Sequence, residues 1–217
     1  MKVKVSKRKL PSYFEIAPLA YEAEDVKTIE HRAMPESKVL KLKNRKRRCM
    51  KKRDQKLKTM STLIDRLPVP GEDFHIIGGG NIDAFHIIPC TLIYSKVINR
   101  LYISTWSMTR ENMQELLKLF DEGKIKELNI VISIFFQGRY KAECHFLKTE
   151  MAKRNQRIVI CKNHAKVICM DTPGAMLVSQ GSANFTGNPR IEQAVFSNSH
   201  ELFHHHANWM DLVLGQT

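Results

Sequence analysis

Residues 128–136 read Leu-Asn-Ile-Val-Ile-Ser-Ile-Phe-Phe, a run wholly apolar on one alternation of a β-strand and carrying Val131 and Phe135 on the other. Successive side chains of a strand point to opposite faces, so apolar side chains on both call for cover on both. This fits a sheet covered by helices on both faces. The flanking sequence supplies them. Residues 82–95 place Ala84, Phe85, Ile88, Leu92 and Ile93 on one side of a predicted helix, with Pro89 straining its middle. Thr109 is a good N-cap for a helix over 110–122, and Gly123 suits its C′ position. Residues 139–155 read as a polar-faced helix and 202–214 as a final one. Strands are expected at 74–77, 101–105, 128–136, 157–162, 165–171 and 175–180. Strands alternating with helices and then clustering predict an α/β fold, a mixed β-sheet covered by helices on both faces.

Composition supports a packed core, since 43% of the 217 residues are hydrophobic. No run approaches the roughly 20 apolar residues of a membrane span, and the basic start has no apolar segment behind it. Five cysteines (Cys49, Cys90, Cys144, Cys161 and Cys169) include no C-x-x-C. Their odd number and spacing exclude a disulfide scaffold and a zinc ribbon, and the expectation is reduced, mostly buried thiols in a cytoplasmic setting.

Charge is distributed unevenly. Of the net +13, residues 1–60 hold +12, with 19 Lys and Arg against 7 Asp and Glu. The excess peaks in residues 38–58, which carry 12 basic residues and one acid, Asp54. Helix propensity permits a helix there, although like charges at i,i+4 would make it marginal alone. Residues 1–37 contain Pro11, Pro18 and Pro35 and are read as irregular. The expected organisation is a basic, irregular or partly helical arm over 1–60, a linker over 61–73, and a folded domain over 74–217. The basic run is a candidate phosphate-backbone contact for nucleic acid. A solvated tail is the plainer alternative.

The chemistry-bearing stretch is Asn163-His164-Ala165-Lys166, continuing to Asp171, followed by Gly181-Ser182-Ala183-Asn184. On a strand, His164 and Lys166 would project from one face about 6.6 Å apart. A glycine at 181 would let the next backbone approach closely. Imidazole, ammonium, hydroxyl and amide at one sheet edge make an anion site with a nucleophile in it. Taken singly, His164 is more often a core histidine and Lys166 a surface lysine.

Together these residues resemble the hallmark of the phospholipase D superfamily, H-x-K-x4-D followed by G-S-x-N. His164, Lys166 and Asp171 match the first half, and Gly181, Ser182 and Asn184 the second. Residues 102–107 and Glu192 are similar to further family features, and the resemblance spans 74–217. The gap from Asp171 to Gly181 is longer than the family's, and Thr172-Pro173-Gly174 is expected to absorb it as a longer turn. The resemblance implies a phospholipase D-like α-β-α sandwich and phosphodiester cleavage without metal or cofactor. His164 would be nucleophile and acid, Lys166 and Asn184 the oxygen ligands, and Asp171, Ser182 and Glu192 supports. One copy of the motif implies a homodimer that pairs two His164 residues.

Other candidates rank lower. His200 and His204 are spaced for one helix face but lack a matching third ligand. Gly78-Gly79-Gly80 has no following Lys-Ser/Thr and is no P-loop. Trp106 and Trp209 are core by default and base-stacking platforms otherwise. No amphipathic segment is evident beside the motif, which disfavours a membrane partner and a phospholipid hydrolase. A catalytically silent nucleic-acid-binding protein is the third alternative.

Overall fold

Each central strand of the sheet sorts its side chains into two cores by parity. On Arg100–Thr105 (β4), Leu101 and Ile103 face one core and Tyr102 the other. On Leu128–Ser133 (β5), Ile130 and Ile132 oppose Val131, and on Val167–Thr172 (β7), Ile168 and Met170 oppose Val167 and Cys169. The first core is closed by Ile87–Ser95 (α1), Arg110–Asp121 (α2) and Lys141–Lys153 (α4). The second is closed by His200–Leu214 (α5), through Phe203, Ala207, Met210 and Leu214. The expected α/β sandwich is therefore present, with helices on both faces.

In this computed structural model the described residues are 38–43, 46–50, 63–79, 83–186 and 191–215, and they fall within one compact unit. The expected irregular arm over 1–37 and the end of the basic run, 51–60, lie outside them. The remaining elements are Lys38–Lys43 (β1), Lys46–Met50 (β2), Glu72–Gly79 (β3), Ile134–Arg139 (α3), Arg157–Cys161 (β6), Ala175–Gly181 (β8) and Ile191–Asn198 (β9). A 3-10 turn, Ala84–His86, precedes α1. The nine described strands form one sheet in the order β2-β1-β3-β9-β8-β7-β4-β5-β6. The pairs β4–β5 and β5–β6 are parallel and the rest antiparallel. Parallel neighbours need crossovers, which α2 and the α3–α4 pair provide.

Several sequence expectations are corrected. The basic run, for which a partly helical arm was expected, contributes the hairpin β1–β2 to the sheet edge. The pairing Lys38↔Ile77 through Lys43↔Glu72 supplies the ladder partners that β3 offers, and outweighs a helix burdened by like charges. The sheet thus begins at Lys38, well before residue 74. Residues 63–71 are not a free linker either: Leu63 and Ile64 are buried, and the Tyr94 hydroxyl donates to the Ile64 carbonyl at 3.0 Å. The apolar run 128–136 is two elements. Ser133 ends β5 and accepts from the Phe135 amide at 3.3 Å, capping α3. Pro89 sits in the first turn of α1, where its missing N–H has no helical acceptor to lose, so it strains nothing. Thr172-Pro173-Gly174-Ala175 is a tight two-residue turn, with Gly174 at φ +89°, and the longer gap is taken up by paired strand. Strand β9, central to the sheet, was not expected. As foreseen, Thr109 caps α2 and Gly123 follows it at φ +71°. Among the described residues Cys90, Cys144 and Cys169 are buried free thiols and Cys161 is half-buried.

Candidate active site

Three neighbouring strands bring one row of residues together. The Gly181 amide donates to the Lys166 carbonyl at 3.3 Å, and Gly181 pairs with Ala194 on β9. The Ser182 amide then donates to the Gln193 carbonyl at 2.9 Å. This close approach requires glycine, because a Cβ at 181 would lie 2.1 Å from the Gln193 carbonyl oxygen. The row thus collects Lys166, Gly181, Ser182 and Glu192 at one end of β7, β8 and β9.

His164 is not on a strand. Residues 163–166 are a loop ahead of β7, with His164 exposed and Lys166 half-buried. The expected alternation along a strand face is therefore absent, but the two side chains still meet. Lys166 Nζ lies 3.4 Å from His164 Nδ1 and donates to the His164 carbonyl at 2.7 Å. Burial pushes the Lys166 pKa below its ordinary value, and the Glu192 carboxylate works against that shift. A cavity of about 20 Å³, lined by Lys166, Ser179, Glu192 and apolar Ile76, Ile168 and Phe185, explains the partial desolvation.

Ser182 and Glu192 form a buttress. The Ser182 hydroxyl donates to a Glu192 carboxylate oxygen and accepts from the Gln193 amide at 3.0 Å. Glu192 is 8% exposed. Asn184 is held by its oxygen, since the Trp106 amide donates to its Oδ1 at 3.3 Å. The amide NH2 is then the end of that side chain turned to donation, as a phosphoryl oxygen requires. The loop carrying Asn184 is fixed by Phe185, whose carbonyl accepts from Thr109 N at 2.9 Å and from Asn112 Nδ2 at 3.0 Å. Asn112 also donates to Asp83, a buried carboxylate whose pKa burial raises.

Asp171 is not brought to this site. It lies five residues along β7 from Lys166, about 16 Å away at ~3.3 Å per residue. There Arg100 Nε donates to Asp171 Oδ2 at 3.0 Å. His200 lies at that same far end, in a groove with Asp171. His200 Nε2 and His204 Nε2 are 3.2 Å apart, and no group of three metal-ligating residues occurs among the described residues.

Sequence reasoning assigned no role to Asn163, although it heads the motif. Its Nδ2 donates to Ser104 Oγ at 3.0 Å and to the Thr105 and Val131 carbonyls at 3.2 Å each, while its Oδ1 accepts from Ala165 N at 3.0 Å. It ties the His164 loop to the ends of β4 and β5. An exposed apolar patch beside the motif was likewise not expected. Ile134, Phe135 and Tyr140 are 44%, 64% and 40% exposed. The switch from strand to helix at Ser133 turns Ile134 and Phe135 outward.

The arrangement can hold a tetrahedral or pentacoordinate phosphoryl group between an imidazole, an ammonium and an amide. No family model matches the sequence, and no curated protein matches it. Solved structures do. Polyphosphate kinase from Porphyromonas gingivalis superposes with a TM-score of 0.52 at 13% identity, over 66% of this chain and 26% of that one. Nuc from Salmonella typhimurium, a phospholipase D family member, gives 0.47 at 20% identity, over 61% and 85%. Phosphatidylserine synthase from Haemophilus influenzae Rd KW20 gives 0.47 at 10% identity, over 71% and 41%. The chain spans about a quarter of the polyphosphate kinase. Likeness at this level of identity bears on the fold alone, and the polyphosphate kinase match is to the α/β sandwich described above.

Proposed function

We propose that the chain is a metal-independent phosphodiesterase that cleaves nucleic acid through a phosphohistidine at His164, working as a dimer. The observation that carries this reading is the convergence of His164, Lys166, Ser182, Asn184 and Glu192 at one end of β7, β8 and β9. A His164 imidazole nitrogen attacks phosphorus, and the bond from phosphorus to the leaving oxygen breaks. That oxygen takes a proton from the imidazolium of His164 in a second copy. A water then gives its proton to that imidazole and attacks phosphorus, and the P–N bond breaks. The mechanism requires the first imidazole to be neutral when it attacks and the second to carry the proton that it delivers. Lys166 and the Asn184 amide stabilise the charge on the non-bridging oxygens. Glu192 and Ser182 position the site, and Asp171 acts on the fold rather than on the substrate.

Nucleic acid is favoured by the basic edge. Lys38 pairs with Ile77, and Ile77 with Gln193, so the hairpin β1–β2 starts in register with the site row. Four strand spacings of ~4.8 Å separate β1 from β7, about 19 Å. A polynucleotide spans that distance and a single phospholipid headgroup does not. The exposed patch at Phe135 favours a second reading, phospholipid cleavage by the same groups.

Incubating the full chain with labelled DNA, RNA and phospholipid in excess EDTA separates these. Nucleic-acid cleavage is expected to persist under chelation. Activity abolished by EDTA and restored by Mg²⁺ or Zn²⁺ contradicts the mechanism, and cleavage of phospholipid alone contradicts the substrate.

A further inference from the structure

The aromatic pair beside the site, an exposed Phe135 and a half-buried Trp106, has no role in the chemistry above. Phe135 is the most open aromatic among the described residues, and its ring lies 6.4 Å from that of Trp106 with 34° between the planes. Both rings stand close to catalytic anchors. The Trp106 amide is the donor that holds Asn184, and Thr105, just before it, accepts from Asn163, which precedes His164. A ligand whose phosphate sat against His164 would therefore bring its next chemical unit over these rings.

The surroundings narrow that unit. Arg139 lies over the Tyr140 ring at 5.8 Å, and an open groove between α3 and α4 is lined by Ile134, Gln137, Lys141, His145 and Lys148. Flat rings bordered by cations suit a base with its phosphates, since stacking accepts any base and the cations take the backbone. A stable dimer buries about 800 Å² on each partner. Ile134, Phe135 and Tyr140, each only partly open, are a small fraction of that. Acyl chains would be served equally well by aliphatic side chains, whereas the pair here is aromatic.

Resting on the nuclease reading, we infer that Phe135, with Trp106 beneath it, is a stacking shelf for an unpaired base flanking the scissile phosphate, so that the substrate is single-stranded where it is cut. Phe135 is then a specificity-determining residue and the α3–α4 groove continues the strand's path.

The test uses full-length chains and single-stranded oligonucleotides carrying 2-aminopurine, or an abasic site, at successive positions. Binding is read on the His164→Ala chain, so it does not depend on turnover. One position should show quenched 2-aminopurine fluorescence. Adding Phe135→Leu, which keeps apolar volume but removes the ring, should abolish the quenching and weaken binding roughly five- to hundredfold. Phe135→Trp should restore both. An abasic site at that position should make the Leu and Phe chains bind alike. The inference is overturned if Phe135→Leu binds as tightly as Phe135, or if the abasic oligonucleotide loses as much affinity as the intact one. It is overturned in favour of a dimer face if the substitutions halve the sedimenting mass without any base-dependent effect. It is overturned in favour of a lipid surface if they reduce only attachment to anionic phospholipid vesicles. Failure of the parent reading is separate: it is loss of nucleic-acid cleavage by the unmodified chain, whatever the quenching shows.

Discussion

Before Val167, where β7 begins, an exposed imidazole and a half-buried ammonium stand together over a small cavity, with a buried carboxylate behind them. At its other end, Asp171 is tied to Arg100 and flanked by a tight turn. Both ends carry members of one sequence motif. At the first an imidazole and an ammonium converge with no carboxylate hydrogen-bonded directly to either among the contacts described, as binding a phosphoryl anion requires. The second satisfies its charges internally and contributes order to the sheet. Spacing in a motif therefore does not by itself assign chemistry, because a strand separates residues as readily as a loop gathers them.

The sharpest way to break this comparison is to remove one group from each end. His164→Ala should lower cleavage at least about 10³-fold while leaving the unfolding midpoint in urea nearly unchanged. Equal loss of activity in Asp171→Asn would erase the distinction between the ends.

The two glycines offer a second test. Gly181→Ala forces a Cβ into the Gln193 carbonyl and should cost about 1–3 kcal/mol of stability. The shift of β8 against β9 should also slow cleavage about 10²-fold. Gly174→Ala meets no atom within 4 Å but sits at φ +89°, so it should cost about 1–2 kcal/mol with cleavage intact. Steady-state kinetics beside urea denaturation on both variants checks this, and parallel losses of rate would contradict it.

Asp171→Asn should act on stability alone. Losing the charge partner of Arg100 should cost about 1–2 kcal/mol by denaturation, with the cleavage rate within a factor of two.

The smallest effect expected is on pH dependence. Burial lowers the Lys166 pKa, so the folded chain releases this proton more readily than the unfolded one. Its ammonium therefore opposes folding below the folded pKa, and that penalty lifts as pH rises through it towards the ordinary 10.5. Activity needs the ammonium and should decline with a midpoint below 10.5. Lys166→Arg should remove that alkaline limb, whatever its basal rate, and a limb unchanged by the substitution would assign it to another group.

Much of the fold was legible where local signals and burial agree. Thr109, Gly123 and the alternating apolar residues of β4, β5 and β7 each have one economical conformation, and tertiary packing reinforces it. Legibility failed where a partner decides. Strand β9 begins at Ile191 with a mixed pattern of burial, and it is a strand because β3 and β8 lie on either side of it. The hairpin β1–β2 likewise depends on the open edge of β3. At the site, residue types in order pointed to His164, Lys166, Ser182 and Asn184, but not to the separation of Asp171, which needs the length of β7. Asn163 was hidden because an asparagine before a histidine has no periodic signature; its side-chain bonds reach Ser104, Thr105 and Val131 on two other strands as well as Ala165 nearby.

The central claim is that His164 becomes covalently bonded to phosphorus. Acid-free denaturation of the chain during turnover of an end-labelled oligonucleotide in EDTA, followed by peptide mass spectrometry, measures this directly. The account predicts an alkali-stable, acid-labile phosphoryl adduct on His164, retained in Asp171→Asn and absent from His164→Ala. Steady turnover with no adduct on His164, or turnover undiminished in His164→Ala, would contradict it.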